Sequence, residues 1–524
     1  MSSSRPSGNR NVLFIVVDQW RGDSLGLLGH PAVKTPNLDR FAGEAVTFKR
    51  HYCQGAPCGP ARASMLTGLY VMNHRVVTNG VPLDARHATL SAELRRAGYE
   101  PTIVGYTTTT PDPRTVSPHD PRFTQIGNIM EGWKVFAHFD EDDFRNYFAW
   151  VAARGHALPE DFKDIWLPAS GKPGPSRAPS RIPAELSDSA WSTDRGIECM
   201  EMMRRHPWAL HLGYYRPHPP LVAPAPYHDI IDEARIPMPL RAASPAEEAA
   251  QHPALRHYIE TLPRRKFFRR AEGLVADMDD DAVRAMRKAY YGLIAEVDAQ
   301  LGRVFEYLKK TGQWDNTLIV FTSDHAEQLG DHYLMGKELY FDQSYHVPLM
   351  IRDPDGAADA TRGQIVDRMT EAVDIMPTIL DWLGRAAPRA CDGRSLMGWL
   401  RDLAPADWAE EVHYEFDLSP GYPDPSAQVM GLDFDAGGMV VLQDRHWKYV
   451  HFESLPPLLF DLTRDPGQFR NLAQDTAHAA TLAAYAQRML SWRMRHADRT
   501  LTHLCSSANG LYDRRRRDLA SAAD

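Results

Sequence analysis

The stretch Asn11-Val12-Leu13-Phe14-Ile15-Val16-Val17, followed at once by Asp18-Gln19, decides the fold of this 524-residue chain. A continuous apolar, β-branched run of this kind predicts a strand that is buried on both faces, as in a parallel sheet covered by helices. The stretch Thr317-Leu318-Ile319-Val320-Phe321-Thr322 repeats the pattern and runs into Ser323-Asp324-His325. Both runs therefore predict central strands with acidic residues at their carboxyl ends.

Further strand and helix patterns surround these two runs. Residues 208–213 and 102–105 are two more candidate strands. Residues 281–309 carry apolar side chains at helical spacing, and residues 373–383 form a shorter helical pattern. Strands that alternate with helices predict an α/β sandwich with a large, mostly parallel central sheet and helices on both faces. Ligands of such sheets bind at the carboxyl ends of the strands, which is where the polar residues lie here.

The character of the chain changes near residue 405. Residues 112–190 are rich in Pro, Asp, Gly and Ser, which predicts long loops rather than a separate domain. Beyond residue 405 come short apolar runs and then a helical pattern over residues 476–495, which predict a smaller α+β domain with an antiparallel sheet. We therefore predict a main α/β domain at residues 1–404 and a C-terminal α+β domain with an extended tail at residues 405–524.

Composition and charge argue against several classes of protein. The formal net charge is −9, without the basic surplus that a general nucleic-acid binder needs. The five cysteines are few and odd in number, which does not fit a disulfide framework and favours a reducing compartment. The first residues lack an apolar leader, and residues 12–17 are far shorter than the ~18 residues of a membrane span. We expect a cytoplasmic protein that binds neither nucleic acid nor membrane.

Asp18, Asp324 and His325 are candidate metal ligands. Two carboxylates that meet at one sheet edge repel each other unless a cation lies between them. A divalent metal ion resolves that repulsion, and a mixed oxygen and nitrogen set favours Mn²⁺, with Ca²⁺ as the alternative. The competing interpretation is that each aspartate only caps the helix that follows it. Gln19 could add an amide oxygen or hydrogen-bond a ligand, or it could face solvent.

Cys58 lies in the stretch Pro57-Cys58-Gly59-Pro60-Ala61-Arg62-Ala63-Ser64-Met65-Leu66-Thr67-Gly68. Taken as a plain thiol it has three interpretations: a small buried apolar residue, a disulfide partner of Cys53, or a zinc ligand together with Cys53. The spacing finds no second cysteine pair, which weakens the zinc interpretation. Pro60 and Arg62, which follow at fixed spacing, favour a functional interpretation.

Three basic residues are candidates for contact with an anionic substrate. Arg62 lies four residues after Cys58 and would share its helix face. Lys337 follows the Asp324 strand end closely, and a solvated lysine is the alternative. His218 stands between prolines, where the fixed backbone suits protonation of a leaving group; an ordinary loop hydrogen bond is the alternative.

The Cys-x-Pro-x-Arg pentapeptide at Cys58, with Thr67-Gly68 downstream, resembles the signature of the sulfatase family, a branch of the alkaline phosphatase superfamily. The resemblance implies that Cys58 is oxidised to formylglycine by a formylglycine-generating enzyme. The hydrated aldehyde then attacks phosphorus or sulfur and forms a covalent ester on a hemiacetal carbon. The resemblance also implies one divalent metal ion, held by Asp18, formylglycine 58, Asp324 and His325. The other matching pieces are Val17-Asp18-Gln19, Thr35-Pro36-Asn37-Leu38-Asp39, Ser323-Asp324-His325, Gly336-Lys337, Val373-Asp374-Ile375-Met376-Pro377-Thr378-Ile379-Leu380 and Phe460-Asp461-Leu462.

Within this family several positions are similar to one group, the bacterial phosphonate monoester hydrolases. Where ordinary sulfatases carry a second aspartate, an Asp-Asn pair and a Gly-Lys pair, this chain has Gln19, His325 and Gly105-Tyr106. The resemblance implies hydrolysis of small phosphonate monoesters and phosphodiesters, with promiscuous action on sulfate monoesters. Because Tyr106 and Thr108 replace a cationic lysine, the site favours a singly charged ester over a dianionic monoester.

The resemblance assigns further roles by position. Arg62 and Lys337 would orient the nucleophile and the charged oxygens of the substrate. The substrate pocket would be lined by Gln19, Asn79, Tyr106, Thr108 and His218. One departure is Ala326, since the family usually has glycine after Asp-His; a positive φ at this position would make alanine destabilising, but we expect a compatible backbone.

Two alternatives to this function stay open. One is an arylsulfatase of the same fold, and the other is a metal-binding pseudoenzyme whose Cys58 remains unconverted. The run Arg514-Arg515-Arg516-Arg517 predicts a solvated tail or a subunit-packing arm more than a site for acidic partners. The resemblance implies a homo-oligomer, a tetramer joined by the extended C-terminus.

Overall fold

The computed structural model describes residues 10–139, 143–419, 430–508 and 510–515. Within those residues the strands of the central sheet are β1 (Asn11–Asp18), β2 (Val46–Tyr52), β3 (Thr102–Gly105), β4 (Lys134–His138), β5 (Ala209–Pro217), β6 (Thr317–Ser323), β7 (His346–Arg352) and β8 (Ile365–Glu371). The smaller sheets contain β9 (Glu411–Asp417), β10 (Gly438–Asp444), β11 (Trp447–Phe452), β12 (Leu458–Asp461), β13 (Leu504–Ser507) and β14 (Gly510–Asp513). The α-helices are α1 (Pro36–Ala42), α2 (Cys58–Thr67), α3 (Val71–His74), α4 (Leu90–Arg96), α5 (Arg145–Ala153), α6 (Asp188–Met203), α7 (Pro245–Ala249), α8 (Pro253–Thr261), α9 (Asp280–Lys310), α10 (Asp342–Tyr345), α11 (Ile375–Trp382), α12 (Met397–Leu400) and α13 (Ala479–His496).

The strands of the central sheet run in the order β4-β3-β5-β1-β6-β7-β2-β8. They share one direction except for β7, which is antiparallel to both of its neighbours, β6 and β2. Both β1 and β6 are buried at every position, as expected of strands that are covered on two faces. The mostly parallel α/β sheet that the apolar runs predict is therefore confirmed.

Two groups of helices pack around this sheet. In one group α9 packs against α1 and α6, and both α6 and α9 contact β5. In the other group α2 packs against α4 and α11. Every residue of α2 is buried, so the N-terminus of this helix delivers Cys58 into the protein interior.

The C-terminal part forms a separate antiparallel sheet in the order β12-β11-β10-β9, and α13 contacts β11. This sheet touches the segment before α2, because the Glu415 amide in β9 donates to the Gln54 carbonyl at 2.9 Å. Residues of β9 and β10 also share the main hydrophobic core. The antiparallel C-terminal sheet is confirmed, and the domain boundary after residue 404 stays a prediction.

The interval 112–190 is more ordered than its composition predicts. It contains the edge strand β4 and the helix α5, and it buries aromatic side chains such as Tyr147 and Trp166. The prediction of loops is wrong for these two elements, because β4 is partly exposed along its length and lacks an apolar run. Arg516 and Arg517 of the basic run lie outside the described residues. Among the described helices, none has the length and the apolar content needed to cross a membrane.

The end of α2 generates a stability prediction. Gly68 ends this helix in the left-handed region, with φ of 67°, and a methyl group there would lie 2.4 Å from the Cys391 Sγ atom. We expect Gly68→Ala to lower the free energy of unfolding by about 2–5 kcal/mol, as the sum of left-handed strain and overpacking.

Gly80→Ala is the matched control for this substitution. Gly80 has a φ of 85° and nothing within 4 Å of an added methyl group, so only the left-handed strain of about 1–2 kcal/mol should appear. Urea unfolding followed by circular dichroism measures both variants. Equal losses in the two variants would contradict the packing of Gly68 against Cys391.

Candidate active site

The structure brings the carboxylates of Asp18 and Asp324 together at the carboxyl edge of the central sheet. β1 and β6 are parallel neighbours, with Val17 opposite Ser323. The residues that follow therefore lie side by side, and the Asp324 amide donates to the Val17 carbonyl at 3.2 Å. Both carboxylates are buried. This proximity follows from two apolar runs that end at the same level of the sheet.

Cys58 and His325 complete a cluster of buried groups around these carboxylates. The Sγ atom of Cys58 lies 3.1 Å from Nε2 of His325 and 3.9 Å from Oδ1 of Asp18. Potential ligand atoms of Asp18, Cys58, Asp324 and His325 all lie within 4.8 Å of one another. The residues that the sequence proposes as metal ligands thus converge on one point.

The imidazole of His325 is held in the form that can bind a metal ion. Its Nδ1 atom lies 3.1 Å from the Ala326 carbonyl, which can only accept, so Nδ1 carries the proton and the Nε2 lone pair faces the cluster. Burial lowers the pKa of His325 to about 4, against the opposing effect of Asp324, so the ring is neutral near pH 7.

The two carboxylates repel each other in this buried setting. Burial, and after it the charge of Asp324, raises the pKa of Asp18, although Arg62 opposes the effect. A cation between the carboxylates would remove this repulsion and would also use the imidazole lone pair. Oxygen and nitrogen donors of this kind suit a divalent ion such as Mn²⁺ or Ca²⁺, so the residues present fit a metal site.

Arg62 lies one turn along α2 from Cys58 and bridges the two carboxylates. Its Nε atom donates to Oδ2 of Asp324 at 2.9 Å, and a terminal nitrogen donates to Oδ2 of Asp18 at 3.2 Å. Its other terminal nitrogen donates to the Tyr106 carbonyl at 2.9 Å. The contacts of Arg62 are therefore with the candidate metal ligands and the strand end beside them.

Tyr106 faces the carboxylates, whereas the sequence resemblance places it in the substrate pocket. The Tyr106 hydroxyl donates to Oδ2 of Asp18. The guanidinium of Arg62 lies over its ring, 4.2 Å from the ring centroid. Tyr106 is buried, and its visible contacts orient Asp18.

Lys337 and His218, both half-buried, lie on the less buried side of the cluster. The Nζ atom of Lys337 is 3.0 Å from Oε1 of Gln19, 3.6 Å from Sγ of Cys58 and 3.5 Å from Nε2 of His218. Nδ1 of His218 is 2.8 Å from the Pro219 carbonyl, so Nδ1 carries the proton and Nε2 accepts from Lys337. Burial, and then Lys337, lowers the pKa of His218 well below its ordinary value.

Asn79 and Thr108 flank the start of α2. The Oδ1 atom of Asn79 accepts from the Gly59 amide at 2.7 Å. A methyl group at Gly59 would lie 3.0 Å from that oxygen and 3.4 Å from the Thr108 carbonyl, so glycine allows both residues to approach the helix. Thr108 has a φ of 52°, a left-handed conformation that non-glycine residues adopt mainly at constrained sites. Both candidate pocket residues therefore lie next to Cys58.

Ala326 replaces the family's usual glycine without left-handed strain. It does not occur among the described non-glycine residues with positive φ. Its amide donates to the Ser344 carbonyl at 2.9 Å, and its carbonyl faces the His325 ring. The backbone at this position is compatible with alanine.

Burial makes the unmodified Cys58 thiol a poor nucleophile. Burial, and then the charge of Asp18, raises the pKa of Cys58 well above its ordinary value. The reactive thiolate is therefore disfavoured at neutral pH. A role for Cys58 as an ordinary cysteine nucleophile does not fit this environment.

Two buried carboxylates that support the site are not among the residues predicted from the sequence. Asp188 in α6 forms an ion pair with Arg216 at 2.8 Å, and Arg216 donates to the His218 carbonyl at 2.8 Å. This pair holds the loop that carries His218. The second carboxylate is Glu327, which follows the candidate metal ligand His325 closely. No local pattern predicts these contacts, because their partners are distant in sequence; closeness to a candidate site residue is the one signal available.

Comparison with known proteins gives consistent matches over most of the chain. A family model described as "Sulfatase" matches residues 10–385, and one described as "N-sulphoglucosamine sulphohydrolase, C-terminal" matches residues 330–495. The chain is 52% identical over 512 residues to the "Multifunctional alkaline phosphatase superfamily protein PehA" of Trinickia caryophylli, covering 96% of this chain and 99% of that one.

Two solved structures resemble the fold along nearly its whole length. The crystal structure of phosphonate monoester hydrolase of Agrobacterium radiobacter matches with a TM-score of 0.93 and 41% identity, covering 97% of this chain and 100% of that chain. Phosphonate monoester hydrolase SpPMH from Silicibacter pomeroyi matches with a TM-score of 0.90 and 40% identity, covering 97% and 99% of the two chains.

The hydrogen bond between Tyr106 and Asp18 generates a prediction about metal binding. We expect Tyr106→Phe to weaken metal affinity about 10-fold, because Asp18 loses an orienting donor while the ring stays beneath Arg62. Competition with a chelator measures the affinity. Tyr485→Phe is the control, since it removes a Tyr–Asp hydrogen bond to Asp444 outside the cluster and should leave affinity unchanged. Wild-type affinity in Tyr106→Phe would contradict the orienting role.

Proposed function

Because the chain belongs to the sulfatase family, we propose that it hydrolyses phosphonate monoesters and phosphodiesters, with sulfate monoesters as secondary substrates. The observation that carries the proposal is the uncharged pair of Gln19 and Tyr106 beside Asp18, where the family's usual pattern has aspartate and lysine. The likeness to two phosphonate monoester hydrolases at 40–41% identity supports the same substrate class.

The distribution of charge supports a singly charged substrate. The guanidinium of Arg62 is already paired with two carboxylates, and the imidazole of His218 is neutral. Lys337 is the cationic side chain in contact with Cys58. Limited positive charge at the transferred group stabilises a monoanionic diester or phosphonate monoester better than a dianionic monoester.

The proposed metal site consists of Asp18, Asp324 and His325 together with the modified side chain at position 58. Mn²⁺ is our first choice and Ca²⁺ the alternative, because the donors are carboxylate oxygens and one imidazole nitrogen. When bound, the metal ion supplies a Lewis acid that activates the nucleophile and stabilises charge on the ester. Arg62 and Tyr106 keep the carboxylates oriented towards it.

Formylglycine at position 58 is the proposed nucleophilic group, made by a formylglycine-generating enzyme. The sequence from Cys58 to Arg62 and the unreactive environment of the thiol support this conversion. The modified residue supplies an aldehyde hydrate, whose two hydroxyls on one carbon allow attack and later release. As the first residue of α2, position 58 presents this group to Lys337 and the metal ligands.

Lys337 and His218 are the proposed groups that manage charge and protons at the ester. The ammonium of Lys337 neutralises the non-bridging oxygens and lies within reach of His218 Nε2. The Lys337 ammonium can pass a proton to Nε2 of His218, which gives it to the leaving oxygen as the ester bond breaks; the Lys337 amine then regains a proton from solvent. The Asp188–Arg216 pair keeps the loop in place for this transfer.

A homo-oligomer, a tetramer by resemblance, is the proposed assembly. Its support is a set of exposed apolar side chains on α13 and in the segment after it. The set consists of Leu490, Met494, Leu501 and Leu511. Burial of such side chains against another copy would remove them from water.

The substrate class and the nucleophile are tested together. We expect kcat/KM on a phosphonate monoester and a phosphodiester to exceed that on an aryl sulfate by at least an order of magnitude. Peptide mass spectrometry of the active protein should show Cys58 lighter than cysteine by about 18 Da, the exchange of sulfur and two hydrogens for oxygen. The Cys58→Ala variant should be inactive.

Other outcomes of this experiment point to other functions. A preference for the aryl sulfate by orders of magnitude would identify an arylsulfatase. An unmodified thiol in an inactive preparation, after coexpression with the maturation enzyme, would identify a metal-binding pseudoenzyme. An unmodified thiol in fully active protein would overturn the mechanism.

The proton donor is tested by leaving-group dependence. We expect His218→Asn to reduce kcat/KM by about 100-fold or more for alkyl esters, which need a proton on departure, and much less for nitrophenyl esters. Steady-state kinetics on a series of phosphodiesters with leaving groups of increasing pKa measures how steeply log kcat/KM falls with the leaving-group pKa. An equal loss across the series would contradict proton donation and leave His218 a binding residue.

A further inference from the structure

Glu327 is a buried carboxylate on the loop between the candidate metal ligand His325 and Lys337. Its relative exposure is 0%. Its Oε1 atom accepts from the amides of Leu329 at 3.0 Å and Gly336 at 2.6 Å. Its Oε2 atom accepts from the side-chain Nε2 of Gln19. Glu327 therefore contacts both a candidate pocket residue and the residue directly before Lys337.

The amide of Gln19 lies between an acceptor and a donor. On one side the Glu327 carboxylate accepts from Nε2, and on the other the Lys337 ammonium donates to Oε1 at 3.0 Å. A flipped amide would set its oxygen against the carboxylate and its nitrogen against the ammonium. Both contacts would then be lost, and buried groups without partners are costly. Glu327 thus selects one orientation of the amide.

The backbone of Gln19 is also held in place. Its φ is 72°, a left-handed conformation that a non-glycine residue adopts only under constraint. Its amide donates to Oδ1 of Asp324 at 3.2 Å, and its carbonyl accepts from the Tyr290 hydroxyl at 2.7 Å. With the main chain anchored and the side chain buried, the contact with Glu327 decides which end of the Gln19 amide faces the ammonium.

The Oε1 atom of Glu327 holds the backbone directly before Lys337. The loop is closed by the Gln328 amide, which donates to the Gly336 carbonyl at 2.8 Å, and by the Glu327 contact to the Gly336 amide. Gly336 has a φ of 87°, and a methyl group there would lie 3.2 Å from the Phe267 ring. The loop therefore has little room to shift. The Glu327 carboxylate holds the backbone before Lys337 through Gly336 and acts on the Lys337 ammonium through Gln19.

We propose that Glu327 is a positioning residue that, through the Gln19 amide and the Gly336 backbone, holds the Lys337 ammonium against Cys58. The proposal rests on the proposed function only in giving Lys337 a role in ester hydrolysis. It explains why an uncharged Gln19 stands at this position: a glutamine has a donor for Glu327 and an acceptor for Lys337, whereas an ionised aspartate has acceptors only and could not donate to Glu327.

The test exchanges the polarity of the pair. In Glu327→Gln the new amide oxygen can still accept from the backbone, but its nitrogen faces Gln19, whose amide must turn and present nitrogen to Lys337. We expect kcat/KM to fall about 10–100-fold while bound metal is unchanged. In the double variant Gln19→Glu with Glu327→Gln, the new amide at position 327 donates to the carboxylate at position 19, which also accepts from Lys337. The total charge is the same as in the wild type. It should be more active than either single variant.

Glu248→Gln is the matched control. Glu248 is also fully buried and accepts from a backbone amide, that of Ala242, and from Nδ1 of His332, but it makes no contact with the cluster. It should lower thermal stability about as much as Glu327→Gln while leaving kcat/KM within about twofold of wild type.

Crystal structures provide a readout that does not depend on activity. In Glu327→Gln the distance between the Lys337 Nζ atom and the Gln19 amide should exceed 3.5 Å, and in the exchanged pair it should return to about 3 Å. An unchanged Lys337 position in Glu327→Gln, or a double variant that carries the product of the two single losses, would overturn the proposal. Failure of the wild type on every ester would instead contradict the proposed function, and the crystal structures would still decide the role of Glu327.

Discussion

The opposition of two buried carboxylates, Asp18 and Asp324, is the constraint on which the rest of the site depends. Two parallel strands, paired in register from Asn11 opposite Thr317 to Val17 opposite Ser323, carry them to the same edge of the sheet, where neither can move away from the other. Arg62 forms ion pairs with both carboxylates and compensates part of their negative charge, and a metal ion would compensate the rest. The position of α2 fits this balance, because the same helix carries both the Arg62 guanidinium and the proposed nucleophile at position 58.

The sequence predicts the parts of the fold that are apolar without interruption. Both β1 and β6 are central strands, buried on two faces, and they are apolar from Val12 to Val17 and from Leu318 to Phe321. Strands nearer the edge are harder to predict. β2 contains exposed Lys49 in its middle, and β4 is partly exposed along its length, so neither carries a continuous apolar run. Their place in the sheet is decided by tertiary packing.

The site divides in the same way between predictable and unpredictable residues. Asp18, Asp324 and His325 follow apolar strands, and Cys58 and Arg62 share one short motif, so their positions can be derived from local sequence. The orientation of Tyr106 towards Asp18, and the buried carboxylates of Asp188 and Glu327, depend on partners far away in the chain. Contacts of that kind produce no local motif and no hydrophobic periodicity. The groups that support the site therefore cannot be predicted from sequence patterns.

The burial of position 58 has a consequence for the proposed conversion of Cys58. Its side chain is 5% exposed at the N-terminus of a fully buried helix, so a modifying enzyme cannot bind the surrounding segment once the protein has folded. The proposed oxidation of Cys58 would then have to compete with folding of the nascent chain. Under that proposal, the fraction of modified molecules would depend on the rate of oxidation relative to the rate of folding. Once a molecule folds with the thiol intact, the stability of its core preserves it in the unmodified form.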